Sequence, residues 1–274
     1  MKKLLGLFTA IILLSFTSGD ELHFKIEYKP LTKYNTSLSQ NTETTVTYHG
    51  SEDFLENLKS RGVSNPTITN SALTMESTIN TGKLTDGGYF PIIMKINKST
   101  KSEGKTGIPD GTIVYGKDSI GRVPILDSVV ADSMTEDVKK VFLQTMQSAF
   151  TQISFPEKTL KTGEDFTAET PLSLPIAGHT LDMSIKTKYK LVSIADGIAS
   201  FDIDQTYTMS TTITDKKASA TGDGKGQLLY DIKNNFYKKY QVDLTMKMSI
   251  NFDDFSLDIT AKSGSVQLTT VTAN

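Results

Sequence analysis

The side chains able to do chemistry are few in this chain, and their spacing is unhelpful to catalysis. Its histidines are His23, His49 and His179, and cysteine is absent. A metal centre needs ligands clustered at matched spacing, as in HExxH, and nothing of that form occurs. Without cysteine there is no disulfide, no thiol nucleophile and no zinc–thiolate site. Serine is plentiful but lacks a G-x-S-x-G elbow, and Gly116-Lys117-Asp118-Ser119-Ile120-Gly121 has the wrong spacing. A triad assembled from separate strands follows no fixed order in sequence, so it stays open as a minor alternative. The pairs Asp202/Asp204 and Asp253/Asp254 have the residue type of glycosidase carboxylates, but the first alternates with core positions and the second sits in a turn, so solvated charge explains both. Gly222-Asp223-Gly224-Lys225-Gly226 lacks the Lys-Ser/Thr ending and following helix of a phosphate loop and reads as a bulge or wide bend. No D-x-D-x-D-G calcium loop is present. The expected catalytic, metal and cofactor assignment is therefore none.

Methionine placement is the more suggestive signal. Met183, Met209, Met246 and Met248 fall on the inward parity of adjacent strands, and Met146 and Phe150 lie on the one long helical pattern. Methionine is flexible and polarisable and lines adaptable apolar pockets as readily as it fills irregular cores. These six residues form the expected lining of a pocket for an apolar or lipid-like ligand, against the plainer alternative that they pack on one another.

The elements that must position these groups are mostly strands. Over 133–153 Val138, Val141, Phe142, Thr145, Met146, Ala149 and Ile153 recur at helical spacing; Ser133 with Glu136 forms a capping box and Pro156 ends the pattern. Upstream, Leu22, Phe24, Ile26 and Tyr28 alternate as a half-buried strand. Ser51 caps a short helix that Gly62 stops. Strands follow over 67–79 and 89–96, and 98–111 reads as an exposed loop. Downstream, alternating apolar runs are separated by turns at Ala195-Asp196-Gly197, Asn234-Asn235 and Asp253-Asp254. The expected fold is mainly β (α+β), with a long-stranded, curved antiparallel sheet packed around one central amphipathic helix. A half-barrel and two β-rich halves are its variants. The divisions are a signal peptide at 1–19, an N-terminal β-rich half at 20–132, the helix at 133–153 and a C-terminal meander at 154–274.

From Phe155 onward the chain resembles an uncharacterised family of exported, β-rich cell-envelope proteins of Gram-negative bacteria. The likeness rests on Phe155-Pro156, Leu160 to Phe166, Tyr189 to Ile194, Ala199, and Gly224-Lys225-Gly226 leading to Tyr230-Asp231, with a weaker fit at Tyr115 to Ser119. It spans about half of the chain. Members commonly carry tryptophan where Phe166 stands and a lipid-attachment cysteine, and both are missing here. The resemblance implies an envelope location and a β-plus-helix fold, and no activity.

Lys2 and Lys3, the apolar run Leu4 to Phe16 and the small residues Thr17-Ser18-Gly19 have the order of a secretory signal. With no lipobox cysteine, a periplasmic or secreted location is expected. A net charge of −2 gives no electrostatic pull toward nucleic acid or anionic lipid, and no nucleic-acid partner is expected. The leading expectation is a non-enzymatic envelope protein that binds an apolar or lipid-like ligand or a protein partner. A structural or adhesive module is the alternative; an outer-membrane β-barrel and a hydrolase with an unrecognised site rank below it.

Overall fold

The structure is a computed structural model that describes residues 21–102, 107–152, 155–176, 179–209 and 218–274. The stretch 1–19, expected to be a signal peptide, lies outside the described residues. The chain is mainly β, with strands β1 (Glu21–Phe24), β2 (Thr32–Gly50), β3 (Thr67–Thr81), β4 (Phe90–Lys101), β5 (Ile113–Asp118), β6 (Ile125–Val130), β7 (Lys158–Lys161), β8 (Asp165–Ile176), β9 (His179–Ala195), β10 (Ile198–Met209), β11 (Ala218–Asp231), β12 (Phe236–Asn251) and β13 (Phe255–Ala273), and helices α1 (Glu52–Ser60) and α2 (Glu136–Gln152). Strands β2 to β6 and β8 to β13 form one antiparallel sheet in the order β6-β5-β4-β3-β2-β13-β12-β11-β10-β9-β8, and β1 pairs with β7 separately. Each half is a meander of neighbours, and the long β13–β2 ladder joins them. β6 and β8 are edges, so the sheet does not close into a barrel.

Alternation builds the inner face. Along β10 and the end of β11, Ala199, Phe201, Ile203, Leu228 and Tyr230 are buried, and on β4 Phe90, Ile92, Met94 and Ile96 are. Two clusters result at the end of the sheet where β2 begins and β3 finishes, here called the base. One, under the C-terminal half, gathers Leu22, Phe24, Leu160, Phe166, Tyr189, Leu191, Phe201 and Tyr230. The other, under the N-terminal half, gathers Tyr34, Ile79, Phe90, Ile92, Val114 and Phe236. Phe155, Phe166, Tyr189 and Tyr230 thus converge on the first.

The segment threaded between the two clusters is the N-terminal one. Phe24 meets Phe155, Phe166, Phe201 and Tyr230 at ring-centroid distances of 4.9–5.9 Å, and Tyr28 meets Tyr34 and Phe236 at 5.0 and 5.3 Å. Regular pairing stops at Phe24, so the backbone beyond it needs other partners. The Tyr230 hydroxyl donates to Lys25 O at 2.7 Å and accepts from Lys25 N at 3.3 Å. The Tyr34 hydroxyl accepts from Lys29 N at 2.7 Å, Glu27 N donates to Asn235 O, and Thr81 Oγ1 donates to Lys29 O. The expected strand through Tyr28 is therefore a short strand followed by an extended spine hung on side chains.

Helix α2 sits against the edge strand β6, not in the middle of the sheet. Phe142, Leu143, Met146 and Phe150 pack on the N-terminal cluster, whereas Val138 and Val141, assigned to the inward stripe, are 51 % and 62 % exposed. The Gln147 side chain accepts from Leu126 N at 2.8 Å and donates to Pro124 O at 3.0 Å, covering part of the open edge. The cap is Thr135, whose Oγ1 accepts from Val138 N, two residues later than the expected Ser133. Helix α1 begins where read: Ser51 Oγ accepts from Phe54 N, and Gly62 at φ +75° ends it.

Candidate functional site: an uncovered half-sheet and its polar cleft

Apart from its tip, where Phe54 of α1 stacks on Phe255 at 4.9 Å, the end of the sheet opposite the base is a single layer at its centre. No residue of 35–50 on β2, 67–76 on β3 or 255–268 on β13 is buried. Serine and threonine occupy both parities there, so neither side offers a continuous apolar face for a second layer to cover.

On the side facing away from the clusters, strand register sets charged residues in transverse rows. One runs Lys188, Asp204, Lys225, Asp243, Gly264, Asn41, Ala72. Beside it, Glu169, Lys186, Thr206, Asp223, Thr245, Lys262, Glu43 and Asn70 make the next. Opposite charges alternate within both, and cross-strand pairs of this kind stabilise a wet face modestly. Asp202 extends the pattern opposite Lys190, so it and Asp204 are surface charges, as the alternation predicts. A barrel wall facing hydrocarbon carries the reverse polarity, apolar outside.

Where these rows cross β3, β2, β13, β12 and β11 they floor a cleft of about 1020 Å³. Its walls carry the carboxylates of Glu43, Asp223 and Asp243, the ammonium groups of Lys225 and Lys262, and amides and hydroxyls from Asn41, Asn70, Ser71 and Ser263. Gly264 opens the floor: the Asp243 carboxylate lies 2.8 Å from where a Cβ would stand and leans over the gap. Lys262 Nζ and Glu43 Oε1 are 3.8 Å apart with both side chains largely exposed, a contact worth little. The cleft holds no histidine and no nucleophile set against a base. It offers a surface of hydrogen-bonding and charged groups.

Four of the six expected pocket residues do meet. Met183, Met209, Met246 and Met248 share a cluster with Tyr207, Ala220 and Ile250, and Met183 and Met248 are buried. Met146 and Phe150 belong to the N-terminal cluster instead. Between the methionines and the base lies a polar layer: the Tyr207 hydroxyl donates to Gln205 Oε1 at 2.8 Å, and Gln205 Nε2 reaches Thr187 and Tyr240. The helix and these methionines therefore do not face each other across one pocket.

Of the histidines, His23 contacts Glu157 at 2.8 Å and His49 contacts Asp258 at 2.9 Å, all largely exposed. Hydrogen bonds from Ser249 and then His49 hold the Asp258 carboxyl below its ordinary range. Serine, histidine and aspartate do meet here, but the carboxylate stands in the middle; a nucleophilic triad needs the imidazole there. The side chain of His179 lies outside the described set. Among the described residues no group of three or more His, Cys, Asp or Glu could hold a metal, and no helix is long and apolar enough to cross a membrane.

No family model and no curated protein matches the chain. Among solved structures, a mutant of Rh. blastica porin aligns at 12% identity over 86% of this chain and 100% of that one, with a TM-score of 0.28. Pseudomonas aeruginosa OccK11 (OpdR) aligns at 8% identity over 91% and 100%, with a TM-score of 0.24. Likeness at this level carries no argument about this chain's fold or function.

Proposed function

We propose that this chain is a non-enzymatic, exported cell-envelope protein whose uncovered half-sheet binds a protein partner. The observation that carries the reading is the single layer at the centre of the large sheet, unburied on both sides over 35–50, 67–76 and 255–268. A sheet that spends long strands on a region with no second layer gains little hydrophobic stability from it, which makes a surface role the economical explanation. The polar cleft across it supplies hydrogen-bonding groups and both signs of charge, the composition of a reversible interface rim. Export rests on the order of charged, apolar and small residues in 1–19, and the envelope resemblance from Phe155 onward agrees with it.

The test places a photo-crosslinking residue, one position at a time, at Asn41, Asn70 and Lys190 in cells that express the full chain. The expected result is an adduct of one size at Asn41 and Asn70 and none at Lys190, which faces the same side outside the cleft. No adduct anywhere, or adducts at all three positions alike, removes the reading.

A further inference from the structure

The N-terminal edge of the sheet carries a surface unlike the rest. In place of the alternating charges of β8 to β12, the outward side chains of β4, β5 and β6 include Ile93, Tyr115 and Ile125, all exposed. Register makes the first two neighbours, since Ile93 stands opposite Tyr115, and Ile125 stands opposite Lys117. The β3–β4 and β5–β6 turns lie at the same end of the sheet, because Phe90 pairs with Asp118. Each turn pushes an apolar side chain into water: Leu84 is 48 % exposed on one and Ile120 56 % on the other. Tyr89 joins them, with Lys117 Nζ 5.8 Å from its ring centroid. Gly88 at φ +76° and Gly121 at φ +78° are the left-handed residues that let the chain reverse there.

The charges beside these residues are chiefly positive. Lys83 precedes Leu84, Arg122 follows Ile120 by two positions, and Lys95 and Lys117 flank Ile93 and Tyr115 on the same face. Among the described residues none of these four has a carboxylate within ion-pair distance. Asp86 and Asp127 are the acids on these turns and strands that face solvent.

From this juxtaposition we propose that the two turns and the adjoining face of β4–β6 form a docking surface for an anionic lipid bilayer. Aliphatic side chains raised on turn tips enter a headgroup layer and bury their apolar area at the acyl boundary. Tyrosine places its ring at the boundary and its hydroxyl in water. Long basic side chains lie along the apolar surface and reach the phosphates. The chain as a whole is negative, so attraction comes from this local cluster and acts within about a Debye length. The site is on a different part of the molecule from the partner-binding cleft, so either reading stands or falls without the other.

The experiment is co-sedimentation of the full chain with phosphatidylcholine vesicles and with vesicles that also contain phosphatidylglycerol. Binding to the anionic vesicles is expected, weakened roughly tenfold or more by the double change Leu84→Ser and Ile120→Ser. Lys117→Gln with Arg122→Gln is expected to lose about fivefold per cation. Lys188→Gln with Lys190→Gln, on the charged face but outside the cleft, leaves binding unchanged. All these positions are exposed, so each variant keeps the parent's melting temperature, which is measured alongside. Failure to sediment with anionic vesicles, indifference to the tip substitutions, or equal binding to neutral vesicles overturns the proposal. So does a dimer by light scattering that the tip substitutions dissolve, since the surface would then belong to a second copy of the chain.

Discussion

Asp118 is a carboxylate at the end of β5, opposite Phe90 and only 3 % exposed. Burial pushes its carboxyl up to about 6; the hydrogen bond it accepts from Ser119 N works against that, and the nearby Glu27 charge adds to it. An acid whose folded value is raised binds more protons folded than unfolded, so stability falls as pH rises between about 4 and 6. At neutral pH the ionised group therefore costs on the order of 2–3 kcal/mol. Asp118→Asn is expected to raise the melting temperature at pH 7 and to change it little at pH 4. An equal drop at both pH values would show that the carboxylate is stabilising and the assignment wrong. At this scale the sequence was most legible where a rule is local. Ser51 caps its helix, and the left-handed Asp196, Gly197 and Asn235 make the turns read for them, because a turn needs only its own backbone. Leu84 and Ile120 carried no such signal: an isolated apolar residue in a turn belongs to no period.

Strand β11 shows what a local motif becomes inside an element. The Gly222-to-Gly226 stretch, read as a bulge or wide bend, is continuous strand, and the register shift falls instead between Leu229 and Tyr230. The glycines share the inner parity because neighbouring strands crowd it. A Cβ on Gly226 would stand 2.0 Å from Gln241 O and 2.9 Å from Val242 Cγ2, whereas one on Gly224 would first meet the flexible Gln205 side chain at 3.2 Å. Gly226→Ala is expected to cost roughly 1–3 kcal/mol or more, the range for overpacking, and Gly224→Ala well under half of that. Urea unfolding of the two variants decides it, and equal losses would mean that the close approach of β12 is not the reason for the run. Helix α2 gives the complementary lesson. Its apolar residues were visible, but which of them face inward depends on how the helix lies along β6. Leu143 and Phe150 are packed while Val138 and Val141 stay in water. The 19-residue strand β2 carries no period to read, since serine and threonine on both faces leave no alternation to follow.

Across the whole molecule the two ends of the sheet differ in how they are held. At the base, Phe24, Tyr34, Phe90, Phe201 and Tyr230 are essentially without exposure, and the spine satisfies its backbone through the hydroxyls of Tyr34, Tyr230 and Thr81 and the Asn235 carbonyl. At the other end the central strands rely on ladder hydrogen bonds and half-buried side chains. Native-state hydrogen exchange is expected to show this as a gradient. Ladder amides near Tyr34 and Ile79 should open only with global unfolding, and those near Thr44 and Thr69 by cheaper local opening. Uniform protection along β2 would contradict the division on which the binding surface rests.

Composition, parity and turn chemistry settle the class of this chain from the sequence alone: a mainly β chain of strands in neighbouring hairpins, with charges on the wet face of the C-terminal strands. These follow from interactions within a few residues or from a period of two, which any reader of the chain can count. What covers what is decided only in three dimensions. That the N-terminal spine, and not the helix, is gripped between the two basal clusters follows from contacts between residues more than 130 positions apart, such as Phe24 with Phe155 and Tyr230. The cleft at Gly264, and the gathering of unpaired cations and bare apolar tips at one edge, arise the same way, from register across strands that no linear pattern records.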